Sequence, residues 1–276
     1  VSVATLSCRG CHLGEDNAHK PTAGGLTAPV PLHIGIPTIH FKTMSCTSCH
    51  SGPWPEAGVY QAKLSRAHAL GTYGANRSDE SLPHIQMPVF APGHDGKLTP
   101  HKMVWPAYWG QLSQEKVSPL AIDLVKEVVA AALKNHYDLE DASWPSLTEQ
   151  DIQTVLQALV MQIDPNDQPV YVSGGKLYSL TAGSLSAADH EAGKPYLWPI
   201  GHAVRPAAQS LGVRKCQDCH STEAGILFGQ VAVDGPLADP NASVSMIEFA
   251  QLDPGFNKLF AKTFMFRPML KILAII

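Results

Sequence analysis

The sequence is poor in charged residues. Only 16% of its 276 residues are Asp, Glu, Lys or Arg, whereas a typical soluble domain has about 25%. The formal net charge is -4, and the chain has no basic stripe and no glycine-rich phosphate loop, so nucleic-acid binding is not expected. A surface with so few charges favours contact with a partner subunit or a membrane.

The sequence also lacks the short motifs of several enzyme classes. It has no nucleophile elbow and no HExxH zinc pair, and its carboxylates form no recognisable pair. No apolar signal segment precedes the first cysteine. We therefore expect either that a signal peptide has been removed or that the sequence is a fragment.

No cysteine lies outside a CxxCH unit. The six cysteines form three such units, each followed directly by a histidine: Cys8, Cys11 and His12; Cys46, Cys49 and His50; Cys216, Cys219 and His220. In a unit of this kind the two thiols bind the vinyl groups of a haem, and the histidine becomes the proximal ligand of the iron. The sequence therefore predicts three covalently bound c-type haems.

Other cysteine chemistry explains the three units less well. A zinc site could take the four thiolates of the first two units, but this leaves the third pair without a partner and does not explain the histidines. A thioredoxin-like redox pair needs a strand-to-helix context. Disulfides at this close spacing would remove little loop entropy.

The three units and the many remaining histidines resemble the multihaem c-type cytochromes. The resemblance covers short stretches of the chain, and the long insert between His50 and Cys216 departs from the small members of that family. It implies haem attachment outside the cytoplasm, hence the periplasm, and electron transfer with redox proteins as partners.

The resemblance also implies a second axial ligand for each iron, usually histidine or methionine. The chain has thirteen histidines, and those just upstream of a CxxCH unit often reach a different haem in related cytochromes. The predicted distal ligands are His202, His33, His40 and His68, with His101, Met87 and Met103 as less favoured alternatives. We expect bis-histidine coordination and low potentials.

The predicted fold class is mainly α with much irregular chain, in which haem forms the core. Apolar residues at helical spacing predict an amphipathic helical pair, with the first helix opening at Ser118–Pro119 and reaching about Tyr137, and the second starting at a capping box at Ser146–Glu149. A glycine turn after Val172 predicts a small β-hairpin. The predicted regions are an N-terminal dihaem region (1–110), a helical and hairpin insert (111–200), a third-haem region (201–258) and an apolar, basic tail (259–276).

The tail favours contact with a membrane. Lys262, Arg267 and Lys271 alternate with Phe and Met, a composition that suits lipid headgroups. The final uncharged run, from Ile272 to Ile276, is far shorter than the roughly 20 residues that span a bilayer, yet it reads as the beginning of a membrane helix. An ordinary buried helix is the alternative.

Together these features predict a periplasmic electron carrier that is membrane-associated through its C-terminus and serves a membrane redox complex. Two alternatives stay open. One is a multihaem oxidoreductase in which one iron lacks a distal ligand and acts on a small nitrogen or sulfur compound. The other is a structural subunit of a respiratory or photosynthetic assembly. An open coordination site on one iron would separate the first alternative from a carrier.

Overall fold

The computed structural model describes residues 7–13, 31–50, 59–60, 87–133, 147–201 and 205–273. The helices in these ranges are α1 (Cys8–Leu13), α2 (Thr38–Thr43), α3 (Cys46–His50), α4 (Ile122–Leu133), α5 (Glu149–Leu159), α6 (Gln217–His220), α7 (Gly225–Phe228), α8 (Met246–Phe249) and α9 (Pro254–Leu273). The strands are β1 (Val59–Tyr60), β2 (Val89–Pro92), β3 (Leu98–Val104), β4 (Ala107–Ser113), β5 (Lys116–Pro119), β6 (Gln168–Ser173), β7 (Lys176–Thr181), β8 (Ser184–Asp189), β9 (Tyr196–Pro199), β10 (Gln230–Ala232) and β11 (Ser243–Ser245).

The largest sheet is antiparallel, with the strand order β5-β4-β6-β7-β8. Because side chains alternate between the two faces of a strand, Tyr171 points to one face of β6 while Val170 and Val172 point to the other. On the first face Tyr171 lies between its cross-strand partners Trp109 and Tyr178, with ring centroids 4.4 Å and 6.2 Å away. This aromatic row forms the floor of the first core.

Helices α4 and α5 cover that aromatic face. The side chain of Thr148 accepts a hydrogen bond from the Asp151 backbone N–H, and the Asp151 carboxylate accepts one from the Thr148 backbone N–H, which is a complete capping box at the start of α5. Ile152, Val155 and Leu156 then fall on the inner face of the helix and are fully buried against the sheet.

Shortening one of these side chains should destabilise this layer strongly. Leu156→Ala is expected to lower the free energy of unfolding by about 2–5 kcal/mol, since the cavity left in a close-packed core adds to the lost transfer energy. Denaturant unfolding measures the change. The matched control is Gln157→Ala, which alters the exposed neighbouring position and should stay within about 0.5 kcal/mol of the parent. Equal effects of the two substitutions would contradict this packing.

A second core lies beside the second and third CxxCH units. Strands β2, β3 and β9 form an antiparallel sheet, and β1, β10 and β11 form another in which β1 is parallel to β10. Helices α7 and α8 pack near these strands. The buried side chains of this core are Val89, Phe90, Met103, Ala224, Ile226, Leu227, Val231 and Met246, and Cys219 packs against them.

The predicted mainly-α class is wrong, because the described chain is a mixed α/β structure with three sheets. Frequent prolines led to the interpretation of the first region as irregular chain, since proline cannot donate a ladder hydrogen bond. In the structure Pro92, Pro119 and Pro199 each end a strand, and Pro100 lies within β3. The sheet residues also supply an apolar protein core in this part of the chain, where haem was expected to form it.

The structure contains the helical pair and the β-hairpin, but the predicted start of the first helix is wrong. Ser118 and Pro119 belong to β5, which pairs with β4 across a turn at Gln114 and Glu115. Both turn residues have positive φ, 47° and 69°, a conformation that usually calls for Gly or Asn. The turn was therefore not visible in the sequence. The predicted end near Tyr137 lies outside the described residues, and the predicted region boundaries stay a prediction.

Helix α9 is the longest in the described chain, with 20 residues. It packs against α6 through Ala261 and Phe264, which are buried. Among the residues that the structure describes, no helix combines the length and apolar character needed to cross a membrane.

Candidate haem-binding site

Each CxxCH unit forms a short helical turn. The first two units make up α1 and α3, and in the third Cys216 is the N-cap of α6. In a helix, residues i, i+3 and i+4 lie on one face. The two thiols and the histidine of each unit therefore share a face, as required if all three are to bind one flat macrocycle.

The second unit is fastened to the start of β3. The Ser45 backbone N–H donates a hydrogen bond to the Leu98 carbonyl (3.0 Å), and the Ser48 hydroxyl donates one to the same carbonyl (2.5 Å). Ser48 is fully buried and Thr47 is nearly so. The two residues between the thiols thus face the protein, whereas Cys46 is exposed and Cys49 is half-buried.

The second unit also contacts the segment that leads to the third unit. The Leu211 backbone N–H donates to the Cys49 carbonyl at 2.7 Å, and the Arg205 backbone N–H donates to the His50 carbonyl. In return, His50 Nδ1 lies 3.2 Å from the Arg205 carbonyl. A carbonyl oxygen can only accept, so Nδ1 carries the hydrogen and Nε2 is the ring nitrogen left to bind a metal.

The third unit is held by its own acidic residue. The Asp218 carboxylate accepts hydrogen bonds from the backbone N–H groups of Gly212 (3.1 Å) and Arg214 (3.2 Å), and the Arg214 guanidinium lies 3.2 Å from the other carboxylate oxygen. These contacts fix the loop that enters α6 and therefore the position of Cys216.

His220 is oriented by aromatic rings of α9. Its imidazole is parallel to the Phe264 ring at a centroid distance of 4.8 Å, and it meets the Phe260 ring edge-on at 5.2 Å. The Arg267 guanidinium lies over the Phe264 ring, 3.6 Å from its centroid. Burial lowers the pKa of His220, and the nearby His40 and Arg267 lower it further, which favours the neutral, metal-binding form of the ring.

Two of the predicted distal histidines lie beside histidines of the CxxCH units. The ring centroids of His40 and His220 are 6.1 Å apart with an interplanar angle of 23°, and those of His33 and His50 are 6.2 Å apart at 52°. Two imidazoles bound to opposite sides of one metal ion, with metal–nitrogen bonds of about 2 Å, have ring centres about 6 Å apart. Both separations fit axial ligation of one iron by each pair.

The surroundings of these pairs also suit a large apolar cofactor. The segment that carries His33 and His40 exposes Leu32 and Ile34 at 83% and 88% and leaves three further apolar side chains partly exposed, Ile36, Ile39 and Phe41. Since exposed apolar clusters mark binding surfaces, this segment matches the need of a haem for apolar contacts on both faces. The residues present therefore fit the predicted group.

The thiols differ in acidity. A hydrogen bond from Cys8 lowers the pKa of the Cys46 thiol to about 6, and positive charges on Arg9 and Lys97 act in the same direction. Burial raises the pKa of the Cys49 thiol. Burial and the neighbouring Cys49 together raise the pKa of Cys219 to about 12. The interactions between Cys8 and Cys46 and between Cys49 and Cys219 show that the three units lie next to one another.

The structure describes only some of the other predicted ligands. His68 and His202 lie outside the described residues, and their roles stay a prediction. His33 was expected to serve a different haem, but the structure places it beside the histidine of the unit that follows it. His101 is buried in β3, where burial lowers its pKa, and Met103 packs in the second core.

Three positioning residues were missed by sequence reasoning. Ser48, Asp218 and Arg205 fasten the units through contacts that depend on the fold, and the Arg205 carbonyl is 155 residues from His50. Only Asp218 could have been noticed, since an acidic residue often accepts hydrogen bonds from nearby backbone N–H groups. In the described ranges, His, Cys, Asp and Glu side chains form no group of three or more that could hold a metal ion.

Comparison with known proteins gives no relative: no family model, curated protein or solved structure matches this chain.

Proposed function

We propose that this chain is an electron carrier that works outside the cytoplasm, in the periplasm, and holds three c-type haems. The observation that carries the proposal is the pairing of proximal with upstream histidines, His50 with His33 and His220 with His40, at centroid distances of 6.2 Å and 6.1 Å. The CxxCH pattern alone predicts the proximal residues, whereas the fold supports a second ligand for two of the irons.

The residues of the site have separate tasks. The six cysteines would attach the haems through thioether bonds, and His12, His50 and His220 would bind the irons from one side. His33 and His40 would bind two of them from the other side, while His68 and His202 stay predicted ligands. When bound, each haem supplies an iron that gains and loses one electron.

The contacts between the units suit transfer from one centre to the next. The Arg205 and Leu211 backbone N–H groups tie the second unit to the segment before the third unit. Backbone contacts of this kind would hold the second and third centres at a fixed spacing. Redox proteins are the partners that such an arrangement would serve.

An optical spectrum tests this proposal directly. Protein produced with c-type haem attachment machinery and reduced with dithionite should show a c-type haem band, which added carbon monoxide leaves unchanged because every iron has two axial ligands. A carbon-monoxide shift in about a third of the haem would favour the oxidoreductase alternative. A chain that carries no haem, or zinc in its place, would refute the proposal.

A further inference from the structure

Helix α9 has two opposite apolar faces. One face packs on the protein through Ala261 and Phe264. The other consists of five side chains that are each between 58% and 67% exposed. Because successive residues of a helix turn by about 100°, these five fall within one stripe, which lies opposite the buried face: Phe256, Leu259, Phe266, Leu270 and Leu273. We call them the exposed stripe.

Positive charges border the exposed stripe. Lys258 and Lys262 are exposed and fall along one edge of it, and Arg267 falls along the other edge, where its guanidinium rests on the Phe264 ring. The sequence of α9 contains four basic residues and no acidic residue. An apolar stripe between two basic borders is therefore presented to the outside.

We infer that α9 lies on the surface of a bilayer containing anionic lipid, with the exposed stripe in the interface. Helices that bind in the plane of a membrane combine an apolar face with flanking Lys and Arg, and their affinity rises with anionic lipid. A second copy of this helix fits less well, because packing stripe against stripe would bring like charges together. The four basic residues spread along α9 do not suit a bilayer crossing.

The placement of α9 on a bilayer surface also bears on electron transfer. This step rests on the proposed function. Phe264 on the inner face of α9 stacks on His220, and its neighbour Phe260 contacts the same imidazole. The third CxxCH unit would therefore lie one helix away from the lipid surface. Among the three centres, it would be the one positioned for exchange with a redox partner at the membrane.

Vesicle co-sedimentation of the haem-loaded full chain tests the inference. Vesicles of phosphatidylcholine with about a quarter phosphatidylglycerol should pellet the protein, and vesicles of phosphatidylcholine alone should pellet much less. Leu259→Glu with Phe266→Glu should weaken binding to the anionic vesicles at least about tenfold, because two carboxylates enter the apolar stripe. Lys258→Gln with Lys262→Gln should weaken it several-fold and reduce its dependence on salt.

The control is Met161→Glu, which places the same charge at an apolar side chain that is 83% exposed outside α9; it should bind vesicles like the parent. Unchanged binding of the Leu259→Glu, Phe266→Glu variant would overturn the inference. Self-association that this variant abolishes, without any vesicle binding by the parent, would also overturn it in favour of a second copy. Haem content is measured on every sample, so failure of lipid binding is distinguished from failure of the electron-carrier proposal.

Discussion

Replacing both cysteines of the third unit, Cys216→Ser with Cys219→Ser, is expected to remove about a third of the covalently bound haem. In the proposed site, thioether bonds would be the only covalent link between chain and haem, so the third haem should be lost when the protein is denatured and extracted. Cys219 also packs against the second core, and a hydroxyl in that position is expected to lower the stability by about 1–3 kcal/mol. The haemochrome absorbance per chain and the mass of the extracted protein measure the first effect.

Thr222→Ala is the matched control for this variant, since Thr222 follows the third unit closely, is exposed and should change neither quantity. Cys8→Ser with Cys11→Ser should remove a similar share of haem if the first unit is equivalent. Haem content that is unchanged in the Cys216, Cys219 variant would contradict attachment at the third unit. Loss of zinc in the Cys8, Cys11 variant, in a protein without haem, would instead support the zinc alternative.

Local signals in the sequence were sufficient for some elements of the fold. Gly174 and Gly175 have φ values of +56° and +81°, which two-residue hairpin turns require, and the polar run before Ile152 does contain the capping box of α5. The box uses Thr148 and Asp151, two residues after the predicted Ser146, because several residues in that run can cap a helix. Local sequence signals of this kind therefore predict the presence of an element more reliably than the residue at which it begins.

The sequence did not predict the sheets, because strand pairing joins residues that are far apart in the chain. Strand β3 has partners on both sides, β2 and β9, and β9 lies almost a hundred residues further along the chain. Pro100 within β3 argues against a strand when the sequence is considered alone. In the structure its carbonyl accepts a hydrogen bond from the Ile200 backbone N–H, so the residue contributes to the sheet through its acceptor although it has no donor.

The candidate site likewise combines features that the sequence predicts with features that depend on the fold. The shared face of two thiols and a histidine follows from the spacing within each unit, and the sequence was sufficient to predict it. Which upstream histidine lies beside which CxxCH histidine depends on how residues 31–45 fold against α3 and α6. The hydrogen bond from His50 to the Arg205 carbonyl likewise joins parts of the chain that are distant in sequence, and no spacing rule would find it.

His40→Ala is expected to open one iron to carbon monoxide, so that about a third of the reduced haem shifts its absorbance. The proximal side should remain in place, because the rings of Phe260 and Phe264 both contact His220. His33→Ala should open a different iron, since His33 lies beside His50. The double variant should therefore shift about two thirds of the haem, a sum that neither a general loss of structure nor a shared iron would produce.

Two further substitutions make this test specific for ligation. His40→Met should close the iron again and raise its potential above that of the parent, because a thioether ligand favours the reduced state relative to imidazole. His94→Ala removes an exposed histidine in the turn between β2 and β3 and should leave the spectrum unchanged. If His40→Ala does not bind carbon monoxide, then His40 is not an axial ligand, and His68 or His202 takes that position. A carbon-monoxide response of His40→Met that equals that of His40→Ala would mean that a thioether at position 40 does not reach the iron.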